Sequence, residues 1–238
     1  MTVSDTVIAR VTGVMALHLR NHKLLADPQP FARLLELDGV TEELEIRSTF
    51  GFMAFHGGRL EEMTDDVARA AARRAGASLY AVVQPEEDQW HIPSHRVTSD
   101  QSPALAQFMD HVDVVVSLHG FGRVGLWRTL LVGGQNRQLA EHVAIELIPR
   151  LGHYEIVTDL DSIPKALRGL HDDNPVNTVK GGGVQIELPP RVRGRSPLFW
   201  GNRPKSQWVP HVDSLIDGLV AAATTWPTAG QNGTATVS

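Results

Sequence analysis

Cysteine is absent from this chain of 238 residues. Its absence excludes disulfide bonds and thiolate metal sites, which leaves histidine, aspartate and glutamate as the strong metal ligands available. A basic excess is also missing, because the formal net charge is -5, so no overall positive field favours nucleic acid. No stretch reaches the roughly 18 consecutive apolar residues of a membrane span. We therefore expect a protein that binds neither nucleic acid nor membrane.

The N-terminal apolar stretch VIARVTGVMALHL is interrupted by Arg10 and His18 and has no basic region before it. It lacks the pattern of a secretory signal peptide, so we expect a soluble, cytoplasmic protein. We expect a single catalytic α/β domain over residues 31–226, preceded by an extension of undefined structure over residues 1–30. Residues 227–238 are small, polar and aperiodic, which predicts a disordered tail. The sequence indicates no particular oligomeric state.

Short apolar runs alternate with helical patterns along most of the chain. Predicted strands cover residues 48–56, 78–85, 112–120, 128–134, 153–159 and 182–190. Predicted helices cover residues 64–76, 102–112, 136–151, 163–170 and 206–226. This alternation implies right-handed crossovers and a mostly parallel central sheet with helices on both faces.

Capping residues support two of the predicted helices. Thr64 is a candidate N-cap of the first, and Gly76 suits its end. Ser102 followed by Pro103 predicts the start of the second.

Three predicted strands end on side chains that suit metal-dependent hydrolysis. The run FMAFH ends on His56, VVVSLH ends on His119, and VQIEL carries Glu187 near its end. In open parallel sheets, ligands bind beyond the carboxyl ends of the strands. Glu61 follows His56 after two glycines, whose missing Cβ atoms let the backbone turn sharply. All four side chains are therefore expected at one edge of the sheet.

These residue types match the chemistry of a catalytic zinc ion. Such an ion takes three protein ligands from histidine, aspartate and glutamate, and it leaves one position for water. His56, Glu61 and His119 are the predicted ligands of a single Zn²⁺ ion. A second carboxylate is needed to take a proton from the water and pass it to the leaving amine, and Glu187 is the predicted general base.

Each of these residues also fits a structural role. A histidine at the end of an apolar strand is more often a hydrogen-bonded structural residue than a ligand. The two glycines fit a simple tight turn or a phosphate nest, although HGG lacks the spacing of a nucleotide-binding loop. Glu187 could also lie on the surface of an edge strand or pair with an arginine in the core, although its apolar neighbours Ile186 and Leu188 count against the surface. The residues alone leave these alternatives open.

The segments AFHGGRLE, HRVTS, VSLHG and GGVQIELP, in this order, resemble the poly-γ-glutamate hydrolase family. This is a group of zinc-dependent amidohydrolases found in phage and bacilli, and the resemblance covers roughly residues 30–200. It implies a three-layer α/β/α sandwich with a mixed central sheet, like that of the zinc carboxypeptidases. It also implies that His56, Glu61 and His119 hold zinc and that Glu187 is the general base for cleaving γ-linked amides between glutamates.

Candidate substrate contacts follow from the resemblance and from charge. His95 and Ser99 lie in HRVTS and match positions of the family pattern. An anionic glutamyl polymer needs local cations, and Arg191 and Arg193 begin a basic loop that can bind carboxylates bidentately. Arg137 is a rival candidate for polarising the scissile carbonyl. The basic loop also fits a solvated surface segment.

Departures from the family pattern leave the substrate open. Phe121 follows the HG segment where members often have cysteine, and larger residues surround Glu61. A small N-acyl amino acid or a cell-wall γ-glutamyl peptide is an alternative substrate, and a catalytically inactive metal-binding or interaction module is an alternative function. His91 and His95 lie four residues apart, but Pro93 between them argues against a metal pair on a helix. His171 is assigned a surface or capping role.

Overall fold

The computed structural model describes residues 26–86, 89–195 and 210–227. Within these residues, seven strands form one sheet, and helices cover both of its faces. The strands are β1 (Thr41–Glu45), β2 (Ser48–Gly58), β3 (Ala77–Gln84), β4 (Val114–Gly120), β5 (Thr129–Gly133), β6 (Glu155–Val157) and β7 (Gly183–Leu188). The helices are α1 (Pro30–Leu35), α2 (Thr64–Ala75), α3 (Pro103–His111), α4 (Arg137–Leu147), α5 (Pro175–Thr178) and α6 (Pro210–Thr225).

The strands lie in the order β1-β3-β2-β4-β7-β5-β6. Neighbours from β3 through β2 and β4 to β7 are parallel, and β6 is parallel to β5. The pairs β1–β3 and β5–β7 are antiparallel. The prediction of a mostly parallel, mixed sheet is therefore confirmed. The carboxyl ends of β2, β4 and β7 meet at one edge, which is the edge where the sequence places the candidate site.

Alternate side chains of β2 enter two separate cores, as the pleat of a strand requires. Phe52 and Ala54 pack into the core with α2, α4 and α6. Met53 and Phe55 pack into the core with α1, α3 and α5. A strand covered on both faces must be apolar throughout, which explains the unbroken run before His56. This arrangement is the predicted three-layer α/β/α sandwich.

The capping predictions are confirmed at two positions and wrong at one. Gly76 ends α2 with a φ of 65°, and the Ser102 hydroxyl accepts a hydrogen bond from the Leu105 backbone N–H. Thr64 is not the N-cap of α2. Met63 holds that position with a φ of 76°, while the Thr64 hydroxyl donates to the carbonyl of Glu61. The tight turn after Glu61 places Met63 in the left-handed region and moves Thr64 into the helix.

Other differences from the predicted elements concern short segments. The predicted helix over residues 163–170 is only a 3₁₀ turn at Lys165–Leu167. The Arg168 side chain donates to the Ile163 carbonyl, and Gly169 has a φ of 63°, so the helix does not continue. Helices α1 and α5 and the edge strand β1 were not predicted.

Most of the two predicted terminal segments, namely residues 1–25 and 228–238, lies outside the described residues. None of the described helices combines the length and the apolarity that crossing a bilayer requires.

Candidate metal centre

The carboxyl ends of β2 and β4 bring His56 and His119 together. Their ring centroids are 5.1 Å apart with nearly perpendicular planes, and both side chains are buried. After His56 the chain reverses, and the backbone N–H of Glu61 donates to the carbonyl of His56 over 3.0 Å. This turn carries Glu61 back over the end of β2, next to the adjacent strand β4, so that His56, Glu61 and His119 lie together.

The turn depends on Gly58. This residue has a φ of 75°, and a Cβ there would lie 2.1 Å from the carbonyl oxygen of Gln84. The Gly58 backbone N–H donates to Oδ1 of Asp65 at 3.0 Å, which ties the turn to the first residues of α2. A side chain at position 58 would both strain the backbone and collide with β3.

The Glu61 carboxylate lies between the two imidazoles. Oε1 is 3.0 Å from Nδ1 of His56, and Oε2 is 3.4 Å from Nδ1 of His119. The backbone N–H of Gly120 also donates to Oε2, at 2.9 Å. Burial alone would raise the pKa of Glu61, but the charges and hydrogen bonds of His56 and His119 outweigh it and hold that pKa well below its usual range. Glu61 is therefore a buried carboxylate with each oxygen facing an imidazole.

The Nε2 atom of each imidazole lies within hydrogen-bond distance of a polar group on the side away from Glu61. Nε2 of His56 lies 2.8 Å from the carbonyl oxygen of Ile92, and Nε2 of His119 lies 3.2 Å from the Ser117 hydroxyl. A carbonyl can only accept, so His56 carries a proton on Nε2, and in the neutral ring Nδ1 keeps the lone pair with which a histidine binds a metal ion. Metal-binding histidines are held in this way by a second hydrogen bond. Two Nδ1 atoms around one carboxylate fit a zinc-type ion.

A third imidazole, that of His91, faces the same carboxylate. Its Nε2 lies 4.0 Å from Oε1 of Glu61, and donor atoms of His56, Glu61 and His91 all lie within 4.8 Å of one another. The pKa of His91 is lowered to about 4, because neighbouring side chains reduce the hydration of its charged form and because His56 lies beside it. Unlike His56 and His119, the His91 side chain is 59% exposed. It therefore stands on the open side of the cluster.

The segment that carries His91 is firmly anchored. The side-chain amide of Gln84, at the end of β3, bonds both the N–H and the carbonyl of Trp90, at 2.6 and 3.0 Å. The carbonyl of Ile92 is the one bonded by His56. Pro93 does prevent a helix here, as predicted, but an extended loop brings His91 to the site all the same. The sequence argument excluded only a helical metal pair and therefore missed this residue.

Glu187 lies on the neighbouring strand, where its Cα pairs in register with that of His119. The side chain is buried, and burial raises the pKa of Glu187. Its Oε1 accepts a hydrogen bond from the amide of Gln185, which in turn accepts one from Asn174, each at 2.8 Å. Glu187 is therefore neither an edge-strand surface residue nor the partner of an arginine.

A cleft of about 370 Å³ opens over these side chains. Its lining includes five of the chain's eleven histidines, namely His56, His91, His95, His119 and His171. His95 and His171 stack with ring centroids 4.4 Å apart and planes at 22°. The loop between β3 and α3 therefore contacts the loop between β6 and α5. Lys165 is the one lysine or arginine among the described residues that line the cleft.

A sequence profile of the family described as poly-gamma-glutamate hydrolase matches residues 36–207. This chain belongs to the poly-gamma-glutamate hydrolase family. No curated protein matches this chain.

Two solved structures share the fold of this poly-gamma-glutamate hydrolase family member. A bacteriophage poly-gamma-glutamate hydrolase is 20% identical with a TM-score of 0.59, and the match covers 80% of this chain and 91% of that chain. The zinc-free apo form of YndL is 22% identical with a TM-score of 0.58, covering 79% of this chain and 89% of that chain. At these identities the likeness concerns the fold.

Of the residues expected to contact substrate in this family member, one lies on the cleft lining and the others lie outside it. His95 lines the cleft, whereas Ser99 starts a short 3₁₀ turn outside it. Arg137 does not reach the cleft, because its guanidinium group turns back onto the backbone carbonyls of Val132 and Gly134 at the end of β5. Arg137 therefore closes the loop between β5 and α4.

The two arginines after β7 also lie outside the cleft lining. Arg191 is exposed and lies beside Tyr154. Arg193 is buried behind Gly120, where a Cβ would come within 2.7 Å of its guanidinium carbon. Its Nε donates to the carbonyl of Leu188 at 3.1 Å, and its Nη1 donates to the carbonyl of Glu62. Arg193 thus ties the end of β7 to the turn that carries Glu61.

His171 and Lys165 could not be found from sequence periodicity. They belong to the segment between β6 and α5, where the helix predicted over residues 163–170 is only a 3₁₀ turn, so no regular element fixes which side chains converge. The sequence offers one signal for His171, to which a surface or capping role was given, because Asp172 and Asp173 follow it directly. Contacts between loops depend on tertiary structure, so local patterns do not predict them.

Proposed function

We propose that this chain is a zinc-dependent hydrolase of γ-glutamyl amide bonds, with a poly-γ-glutamate-type chain as its substrate. Family membership makes the protein a hydrolase, and the proposal adds the ion, the linkage and the residues. The observation that carries it is the position of Glu61 between two Nδ1 atoms whose imidazoles are each anchored at Nε2. A similar structure described as zinc-free supports the choice of ion.

His56, Glu61 and His119 would hold the ion. When bound, zinc supplies Lewis acidity toward a carbonyl oxygen and makes water more acidic. The chain's own contribution is preorganisation. The Ile92 carbonyl and the Ser117 hydroxyl fix the two imidazoles, and the Gly120 N–H fixes one oxygen of Glu61. These contacts hold the two imidazoles and the carboxylate in fixed orientations beside one another.

Glu187 would act as the general base and then as the general acid. It would take a proton from the attacking water as the new carbon–oxygen bond forms, and it would deliver that proton to the amine nitrogen as the carbon–nitrogen bond breaks. Burial raises the pKa of Glu187, which suits a group that must both accept and release a proton near neutral pH. The amide hydrogen bond from Gln185 orients the carboxyl group.

The cleft lining supports a substrate that carries carboxylates. In a γ-linked glutamyl chain, every residue keeps a free α-carboxylate next to the scissile amide. Lys165 supplies a fixed positive charge, and His95 and His171 supply further hydrogen-bond donors on the same lining. The apolar residues Phe121 and Leu167 suit the methylene groups between amide and carboxylate. The cation on the cleft lining is thus a lysine. Arg137 and Arg193 bond backbone carbonyls instead, and Arg191 lies outside the lining.

The test is a substrate panel assayed with metal-loaded, untagged protein and read by product mass. It compares γ-linked with α-linked glutamyl oligomers, and it includes an N-acyl glutamate and a γ-glutamyl peptide of cell-wall type. We expect cleavage of γ-linked oligomers, loss of activity with a chelator, and recovery with zinc. Faster cleavage of α-linked oligomers or of the N-acyl amino acid would refute the proposed linkage. Tight metal binding without cleavage of any member would favour an inactive module.

A further inference from the structure

A chain of side-chain amides runs from the start of α5 to Glu187. Asn174, the N-cap of α5, donates from Nδ2 to Oε1 of Gln185 at 2.8 Å. Gln185 donates from Nε2 to Oε1 of Glu187, also at 2.8 Å. The three residues are 2%, 5% and 4% exposed, so solvent does not compete for these bonds. All three line the cleft.

A backbone N–H beside Asn174 fixes which way each amide in this hydrogen-bonded series is oriented. The N–H of Val176 can only donate, and it meets Oδ1 of Asn174. The Nδ2 group of Asn174 must therefore point toward Gln185, and Oε1 of Gln185 accepts the hydrogen bond. Gln185 then has only Nε2 to offer Glu187. Reversing either amide would set two donors or two acceptors against each other, so one backbone N–H orders the whole series.

Packing also limits the movement of Gln185. A Cβ at Gly169 would lie 2.9 Å from Cβ of Gln185 and 3.1 Å from its Oε1, so the backbone of that segment presses directly on the amide. On the strand itself, Gln185 pairs with Gly133 of β5. The amide is thus held by neighbours on two sides as well as by its hydrogen bonds.

We propose that Asn174 is a positioning residue for hydrolysis, acting through Gln185. In this arrangement Oε1 of Glu187 is committed to the Gln185 amide, and Oε2 is left for the attacking water and the leaving amine. Among the described residues no hydrogen bond to Oε2 is found. The inference rests on the proposed function, because it assigns the proton-transferring oxygen of the proposed base. It also makes a claim about amide orientation that holds without any turnover.

The substitution Asn174→Asp tests the direction of the chain. The new carboxylate still accepts from Val176, but it has no donor for Gln185. Gln185 must then reverse and present its oxygen to Glu187, which loses its donor and gains a repulsive neighbour. We expect kcat to fall by about 10- to 100-fold, because hydrogen bonds to charged groups are of that strength, with KM and bound zinc little changed. Asn174→Ala removes the donor without forcing reversal, so its loss of kcat should be smaller.

This order of effects separates orientation from packing. Aspartate is nearly the same size as asparagine, so a purely structural role would make Asn174→Asp milder than Asn174→Ala. The control is Asn136→Asp, the same change at the N-cap of α4, outside the cleft lining, where Asn136 also donates to a backbone carbonyl. We expect its kcat to stay within about twofold of wild type. Loss of kcat in the control equal to that of Asn174→Asp would overturn the proposal.

A double-mutant cycle separates orientation from the added charge. In a Gln185→Met background no amide remains to reverse, so Asn174→Asp should have little further effect on kcat. If the charge itself were responsible, Asn174→Asp would cost the same factor in both backgrounds, and the proposal would be wrong. Thermal unfolding of each variant checks that it is folded.

A readout independent of turnover distinguishes this inference from the proposed function. The side-chain ¹H–¹⁵N pair of Gln185, assigned by its loss in Gln185→Met, should exchange slowly with solvent in wild type and should shift strongly in Asn174→Asp. It should respond in the same way if the protein hydrolyses no γ-glutamyl amide. An unprotected Gln185 amide, or one that Asn174→Asp leaves unmoved, would overturn the inference even if the enzyme is active.

Discussion

The backbone N–H of Gly120 donates a hydrogen bond to Oε2 of Glu61 over 2.9 Å. This bond joins the end of β4 to the turn after β2, so the carboxylate that faces His56 is held from the neighbouring strand. Gly120 itself must lack a side chain, because Arg193 fills the space where its Cβ would lie. The candidate metal centre is therefore built into the sheet edge, and its parts depend on one another.

Removing the charge of Glu61 should weaken zinc binding with little change in shape. Glu61→Gln keeps the size of the side chain but removes the anion that the two imidazoles surround. We expect the affinity for zinc to fall by roughly 100-fold or more, since losing even an outer-shell partner costs about 10- to 100-fold. Competition with a chelator on untagged protein measures this. Glu86→Gln, at an exposed glutamate, is the control, and an equal effect there would contradict the assignment.

Glu187→Gln should remove turnover and leave the metal in place. The amide matches the carboxyl group in size but cannot take a proton from water. A fall in kcat of about 10²- to 10⁴-fold is expected, as for other general acid–base groups. Zinc content by elemental analysis should equal that of wild type. Retention of more than about a tenth of the activity would show that another group is the base.

Lys165→Gln should weaken the binding of anionic substrates selectively. Lys165 is exposed on the cleft lining, so solvent screens its charge and the effect should be modest, a rise in KM of about 3- to 10-fold for γ-linked oligomers. The rise should shrink with added salt, because screening weakens the wild-type interaction as well. Lys180→Gln, at an exposed lysine away from this cleft, should leave KM unchanged. Equal KM values for wild type and Lys165→Gln at low salt would contradict the role of Lys165.

Gly58→Ala should destabilise the metal-free protein. Its φ of 75° strains any other residue, and the added Cβ would meet the Gln84 carbonyl oxygen at 2.1 Å. We expect the free energy of unfolding in urea to fall by about 2–4 kcal/mol. Gly152→Ala is the matched control, because nothing lies within 4 Å of its Cβ position, and it should stay within about 0.5 kcal/mol. Equal unfolding midpoints for the two variants would contradict the steric account.

The parts of the site that lie on strands were predictable from sequence. His56 and His119 each end an apolar run, Glu187 lies near the end of a third strand, and parallel strands bring their carboxyl ends to one edge. Strand β1 was missed because TEELE carries three glutamates. As an edge strand with exposed or half-buried side chains, it places some of these glutamates where arginines of α2 pair with them, a pattern that alternation of apolar residues does not show.

The loop residues were not predictable in the same way. Arg137 follows the strand that ends at Gly133, and only the folded backbone shows that its guanidinium group turns back onto carbonyls. His91 reaches the cluster because Gln84 and His56 anchor the residues on either side of it. Such contacts join segments remote in sequence, and they depend on side-chain geometry that periodicity does not encode.

Anomalous diffraction at the zinc edge, from crystals of untagged protein grown with zinc, tests the central claim most directly. We predict one strong peak in the cleft, at about 2.0–2.2 Å from Nδ1 of His56, Nδ1 of His119 and a carboxylate oxygen of Glu61. Glu187 should lie beside the peak without coordinating it. A peak held by His56, Glu61 and His91 with His119 uncoordinated, or no peak in the cleft, would contradict this account.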